Sequence, residues 1–210
     1  MVLDHHVHTQ FHGSMGVNAF DLADRAREHG VQWLGFAENF PLPTAYALVV
    51  EGEDYMPADD LPHYLDTAKA VRATYRADGL NVLIGVEADF LPAHANEIGR
   101  RLERVGDHLD FRLLGQHFVG HYSISLSRPT YFEAARELFG GSDTEAFDAL
   151  HRSYWRDMLQ AVNTGLFDVV GHLDLVKKFD GRPGDELAER FRPEIERVLD
   201  AVAATRRMAI

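Results

Sequence analysis

The chain has 210 residues, 46% of them hydrophobic, no cysteine and a formal net charge of −12. That length and composition fit one compact globular domain, and the missing thiols exclude disulfides and leave imidazole and carboxylate as the metal-ligand chemistry. The acidic balance argues against nucleic acid or an anionic membrane as partner, and no apolar run reaches the roughly 18 residues of a membrane span.

The N-terminus turns acidic and histidine-rich at once, without a basic and apolar presequence, so a cytoplasmic protein is expected. Strands are predicted at Val2–His8, Val31–Glu38, Asn81–Phe90, Phe111–Val119 and Phe167–Leu175. Their near-continuous apolar runs are those of strands covered on both faces. Helices are predicted between them: Asn18–His29, with Asn18 as N-cap and Gly30 as terminator, then Tyr64–Asp78, Ala95–Val105, Thr130–Phe139, Thr144–Asn163 and a single helix Gly184–Ala204. The loop Phe40–Pro62 carries several prolines, and no glycine-rich phosphate fingerprint follows any strand. Alternating strands and helices without a repeat or linker predict one α/β domain over residues 1–210.

Twelve histidines are present. His29, His63, His94, His108 and His151 lie in or beside helical stretches and read as surface residues. Of the others, His6, His8, His117 and His172 stand at strand ends. Asp4, His6 and His8 alternate along the first strand and so share one side. Glu38 ends the second strand, Glu87 and Asp89 the third, His117 the fourth, and His172 and Asp174 the fifth. Parallel β/α units bring the carboxyl ends of their strands to one rim, where active sites sit. Imidazoles and carboxylates after such apolar runs are costly to bury unless paired or metal-bound. The donor types suit divalent Zn, Mn or Fe, with Glu87 on the middle strand as a bridging carboxylate. Ions of this kind activate water and steady the oxygens of a displacement at phosphorus or carbon, so phosphomonoester and amide hydrolysis both remain open.

The segments Asp4-His5-His6-Val7-His8-Thr9, Gly35-Phe36-Ala37-Glu38-Asn39-Phe40-Pro41, Gly85-Val86-Glu87-Ala88-Asp89-Phe90, Gly115-Gln116-His117 and the stretch from Phe167 through Gly171-His172-Leu173-Asp174 to Leu175 resemble successive motifs of the polymerase-and-histidinol-phosphatase (PHP) superfamily. The resemblance covers the chain from residue 2 to residue 210 and is strongest to the monofunctional histidinol phosphatases. It implies a distorted seven-stranded β/α barrel, up to three divalent ions, and hydrolysis of the small phosphomonoester L-histidinol phosphate in histidine biosynthesis. Carried over by position, it implies metal ligation by His6, His8, His12, Glu38, Glu87, His117 and His172. Glu87 and Asp174 become the catalytic candidates, Asp174 as the carboxylate that fixes an imidazole tautomer. Lys177 and Lys178 become candidates for holding the phosphate. Two departures accompany the resemblance. Glu38-Asn39 stands where the family usually has Asp-His, and Met208-Ala209-Ile210 reads as the start of a sixth strand, where the family continues to a final Asp-x-His motif. A C-terminally incomplete barrel is therefore expected, with self-association through its unclosed edge. A PHP-fold protein that binds metal without turnover and an amidohydrolase-type barrel are the alternatives, although the latter often bridges its metals with a lysine where this chain has Glu87.

Overall fold

The computed structural model describes residues 2–13, 16–47 and 55–205. The chain packs into two compact units, one of Met1–Ala88 and Arg100–Leu113, the other of Asp89–Gly99 and Leu114–Ile210. In chain order the elements are β1 (Leu3–Val7), α1 (Ala19–Glu28), β2 (Trp33–Asn39), α2 (Thr44–Ala47), α3 (Leu61–Tyr75), β3 (Asn81–Asp89), α4 (Ala95–Val105), β4 (Phe111–Gly115), β5 (Phe118–Val119), β6 (Tyr122–Ser123), α5 (Arg128–Phe139), α6 (Asp143–Thr164), β7 (Val169–Val170), α7 (Gly184–Arg190) and α8 (Arg192–Ala204). Five strands form an α/β sheet in the order β1-β2-β3-β4-β7, which among the described residues has two ends and does not close. The strand predicted at Met208–Ile210 lies outside the described residues.

In the first unit β1, β2 and β3 are parallel. The β2–β3 register is unbroken and sets Asn39 opposite Glu87. Between β1 and β2 it slips: Asp4 pairs with Leu34, but Val7 pairs with Phe36. His5 and His6 therefore face the single residue Gly35, a bulge of the kind that re-aims side chains next to functional sites. Glycine is required there, because a Cβ on Gly35 would lie 2.8 Å from the His5 Cα. The bulge interrupts the alternation expected for Asp4, His6 and His8. Asp4 is exposed, and its Oδ1 takes the His6 backbone N–H at 3.3 Å.

Two helices cover this part of the sheet. The Asn18 side chain caps α1 by accepting the Phe20 N–H, and the small residues Ala19, Ala23 and Ala26 form its buried face. The α3 helix buries Tyr64, Leu65, Ala68, Val71 and Tyr75, and the Tyr64 hydroxyl donates to the Gly85 carbonyl of β3 at 2.5 Å. Burying Leu65 and Val71 contributes roughly 1.5–3 kcal/mol each. That hydroxyl therefore fixes where α3 sits on the sheet as well as filling the core.

The second unit is built on α6, whose start carries a capping box between Ser142 and Glu145. Here three predicted boundaries are corrected. The predicted strand Phe111–Val119 ends its sheet pairing at Gly115, and Phe118–Val119 instead forms an antiparallel hairpin with Tyr122–Ser123. The turn is made by Gly120 at φ 58°, a conformation glycine adopts without penalty. The predicted strand Phe167–Leu175 keeps only Val169–Val170 in the ladder, because His172 takes φ 25° and leaves extended geometry. The predicted single helix Gly184–Ala204 breaks at Phe191, where Pro193 opens α8. Proline lacks the N–H that would continue the ladder of α7 and suits a helix's first turn.

His151, read from the sequence as a surface residue, has no exposed area. Its Nε2 donates to the Asp180 carboxylate at 3.0 Å and its ring stacks on Phe191 at 4.6 Å. Asp180 also receives Arg182 at 2.7 Å and the Tyr131 hydroxyl at 3.2 Å, and Arg182 continues to Asp148, which Arg190 also pairs. Burial opposes ionisation of Asp180, but the hydrogen bonds from Arg182 and His151 outweigh it and hold the carboxyl below its usual range. The network ties α5, α6 and the segment before α7 into one structure. Helical periodicity could not reveal it, since its anchor Asp180 lies 29 positions from His151. Among the described residues no helix is long and apolar enough to cross a membrane.

Candidate metal centre

The first unit brings the ligands of three strand ends together. His6 Nε2 lies 2.9 Å from Glu87 Oε2, and His8 Nε2 lies 3.5 Å from the same oxygen. His8 turns its other nitrogen, Nδ1, toward Glu38 Oε1 at 3.7 Å. The His12 ring stacks on His8 with centroids 4.1 Å apart, and His12 Nδ1 is 3.3 Å from the Asn39 amide nitrogen. Ligand atoms of His6, His8 and Glu87 lie within 4.8 Å of one another, and so do those of His8, His12 and Glu38. His8 is common to both groups, one nitrogen toward each carboxylate.

Both carboxylates are buried. Glu38 Oε1 accepts the Thr9 N–H at 2.5 Å, while Oε2 is buried and makes no hydrogen bond. Burial, aided by the nearby Glu87, pushes the Glu38 carboxyl up to about 7 despite the Thr9 hydrogen bond. Two adjacent buried carboxylates, one with an oxygen that has no partner, are costly in a metal-free protein. The donor set fits divalent cations of the borderline type, which take imidazole nitrogen and carboxylate oxygen together.

In the second unit His117 follows β4. Asp89 Oδ1 accepts its backbone N–H at 2.7 Å, and Asp89 Oδ2 lies 3.2 Å from its Nδ1. The rings of His117 and His172 are 4.9 Å apart. Asp174 has its side chain 62% exposed and accepts from Lys177 Nζ at 3.2 Å. Lys178 Nζ donates to the Ser125 carbonyl at 2.9 Å. Sequence reasoning placed Asp89 at a strand end but gave it no partner. Its position two residues after Glu87, on the same side of a strand, was the available signal.

A family model described as the PHP domain matches residues 4–209. The chain belongs to the PHP domain family. Among curated proteins, this PHP domain is 29% identical over 176 residues to the "Probable histidinol-phosphatase" of Deinococcus radiodurans, an alignment covering 84% of this chain and 62% of that protein. It is 26% identical over 204 residues to the histidinol-phosphatase of Bacillus subtilis, covering 95% of this chain and 75% of that protein. The chain thus spans between three-fifths and three-quarters of the length of these relatives. Among solved structures it resembles the histidinol phosphate phosphatase of Lactococcus lactis, crystallised with Zn, L-histidinol and phosphate. The TM-score is 0.72 at 21% identity, over 97% of this chain and 70% of that one. That likeness is one of fold.

Proposed function

We propose that this PHP domain belongs to a cytoplasmic, metal-dependent phosphomonoesterase that converts L-histidinol phosphate to L-histidinol and phosphate in histidine biosynthesis. The observation that carries the proposal is the convergence of His6, His8, His12, Glu38 and Glu87, with two buried carboxylates inside one cluster of imidazoles. The names of the relatives support the substrate.

Hydrolysis joins the oxygen of water to phosphorus, breaks the phosphorus–oxygen ester bond and leaves the alcohol oxygen in need of a proton. Bound divalent ions (Zn, Mn or Fe, up to three) would supply the positive charge that lowers the pKa of the attacking water and neutralises the phosphoryl oxygens. The chain's own contribution is to hold and orient. His6, His8 and His12 present ring nitrogens, Glu87 spans His6 and His8, and Glu38 is fixed by the Thr9 N–H. We assign His117 and His172 as metal ligands, Lys177 and Lys178 to the phosphate, and Asp174 to orienting a ligand imidazole. The net charge of −12 makes such local cations necessary for an anionic substrate.

The test is phosphate release from L-histidinol phosphate by the purified chain with added Mn²⁺ or Zn²⁺. His6→Ala is expected to lower metal-dependent kcat/KM at least about 100-fold, since a displaced ion forfeits several kcal/mol of charge stabilisation. Turnover in the His6→Ala protein equal to that of the parent would overturn the assignment. Metal binding without any turnover in the parent would leave a metal-binding PHP domain and remove the phosphatase.

A further inference from the structure

We propose that Asp89 is a positioning residue for His117, selecting the imidazole tautomer in which Nε2 is the donor atom. The proposal rests on the assignment of His117 as a metal ligand, and it concerns a residue to which the motif resemblance gives no role.

Asp89 closes β3 and is 3% exposed. Its carboxylate addresses one residue twice: Oδ1 takes the His117 backbone N–H at 2.7 Å, and Oδ2 meets the ring Nδ1 at 3.2 Å. A buried carboxylate oxygen is an acceptor, so the Nδ1 facing it carries the hydrogen. In a neutral imidazole Nε2 then holds the lone pair, which is the form a metal requires. Because one carboxylate grips both main chain and ring, it restricts the torsions between them. The other side of the peptide is held as well, since the His117 carbonyl accepts the Ile124 N–H at 2.8 Å across the β5–β6 hairpin. A ring pinned at its backbone and at one nitrogen is pre-organised, which lowers the ordering cost of ligation.

The decisive variant is Asp89→Asn. Its amide oxygen can still accept the backbone N–H, but its NH₂ group would then face Nδ1 and favour the opposite tautomer, with hydrogen on Nε2. Nitrogen-15 NMR of the metal-free chain, with His117 assigned through His117→Gln, is expected to show the Nδ1–H form in the parent and the Nε2–H form in Asp89→Asn. Isothermal titration with Zn²⁺ is expected to show affinity reduced 10–100-fold by Asp89→Asn. An Nε2–H tautomer in the parent would overturn the proposal whether or not the variant folds. So would unchanged zinc affinity in a folded Asp89→Asn protein. Phosphate release is read separately: absent turnover with the tautomer and affinity effects intact removes the phosphatase assignment and leaves the role of Asp89 standing.

Discussion

His151 is titratable, has no exposed surface and lies in a buried ionic network distinct from the candidate metal ligands, so its contribution to stability can be isolated. Burial pushes its pKa below the ordinary imidazole range, and the hydrogen bond to Asp180 opposes this only in part. The unfolded chain therefore takes up the proton more readily than the folded one. The stabilisation is complete above the ordinary histidine pKa of about 6.5 and is lost as pH falls below it toward the depressed folded value. Asp180, also held below its ordinary range, adds a second loss in the same direction as pH falls past about 4. Urea unfolding midpoints of the chelator-treated protein are accordingly expected to drop from pH 7 to pH 5. In His151→Phe that segment of the curve should flatten, while the decline at lower pH remains. An unchanged slope between pH 7 and 5 would show that other histidines govern it. Asp180→Ala is the harsher substitution, because it strands Arg182 beside His151 without their shared carboxylate. Removing one partner from such a buried set costs about 3–5 kcal/mol.

Among the elements, β1 carries the most information per residue. Its bulge puts His5 and His6 against Gly35, and the strand then delivers His6 and His8 to a single Glu87 oxygen. Gly35→Ala would force a Cβ into the His5 backbone, which cannot swing aside as a side chain would. An overpacking cost of roughly 1–3 kcal/mol is expected, together with at least tenfold weaker zinc binding as His6 is pushed from Glu87. Calorimetric titration would check this, and parent-like affinity would mean that the bulge absorbs the methyl group. Much of this sheet was legible in the sequence, because a run such as Val82–Val86 can only be a covered strand and the polar residue that ends it must then be paid for by a partner. The donors at these ends were legible for the same reason. The bulge was not, since nothing in Asp-His-His-Val-His distinguishes an even strand from one with a slipped register; only Gly35, on the partner strand, hinted at a close approach. The predicted fourth and fifth strands ran too long because apolar composition continues where ladder hydrogen bonds stop, at Gly115 and at the left-handed His172. Asp89 and Asp180 escaped notice as partners because their histidines are brought to them by tertiary packing.

At the scale of the whole molecule, the sheet order among the described residues ends at β1 on one side. Leu3 on that strand is 45% exposed, and its neighbour Trp33 is 37% exposed. A terminal strand with apolar side chains is a template for pairing with another chain. The protein is therefore expected to sediment with a concentration-dependent mass, and Leu3→Lys is expected to shift it toward the monomer. A monomer at every concentration would remove self-association by this edge. The division into two units has a different consequence, for how the polypeptide can be cut. The chain runs through the first unit to Ala88, crosses into the second for Asp89–Gly99, returns for Arg100–Leu113 and only then completes the second. No single cut can separate the two as contiguous pieces, so neither is available to genetic dissection as a simple truncation.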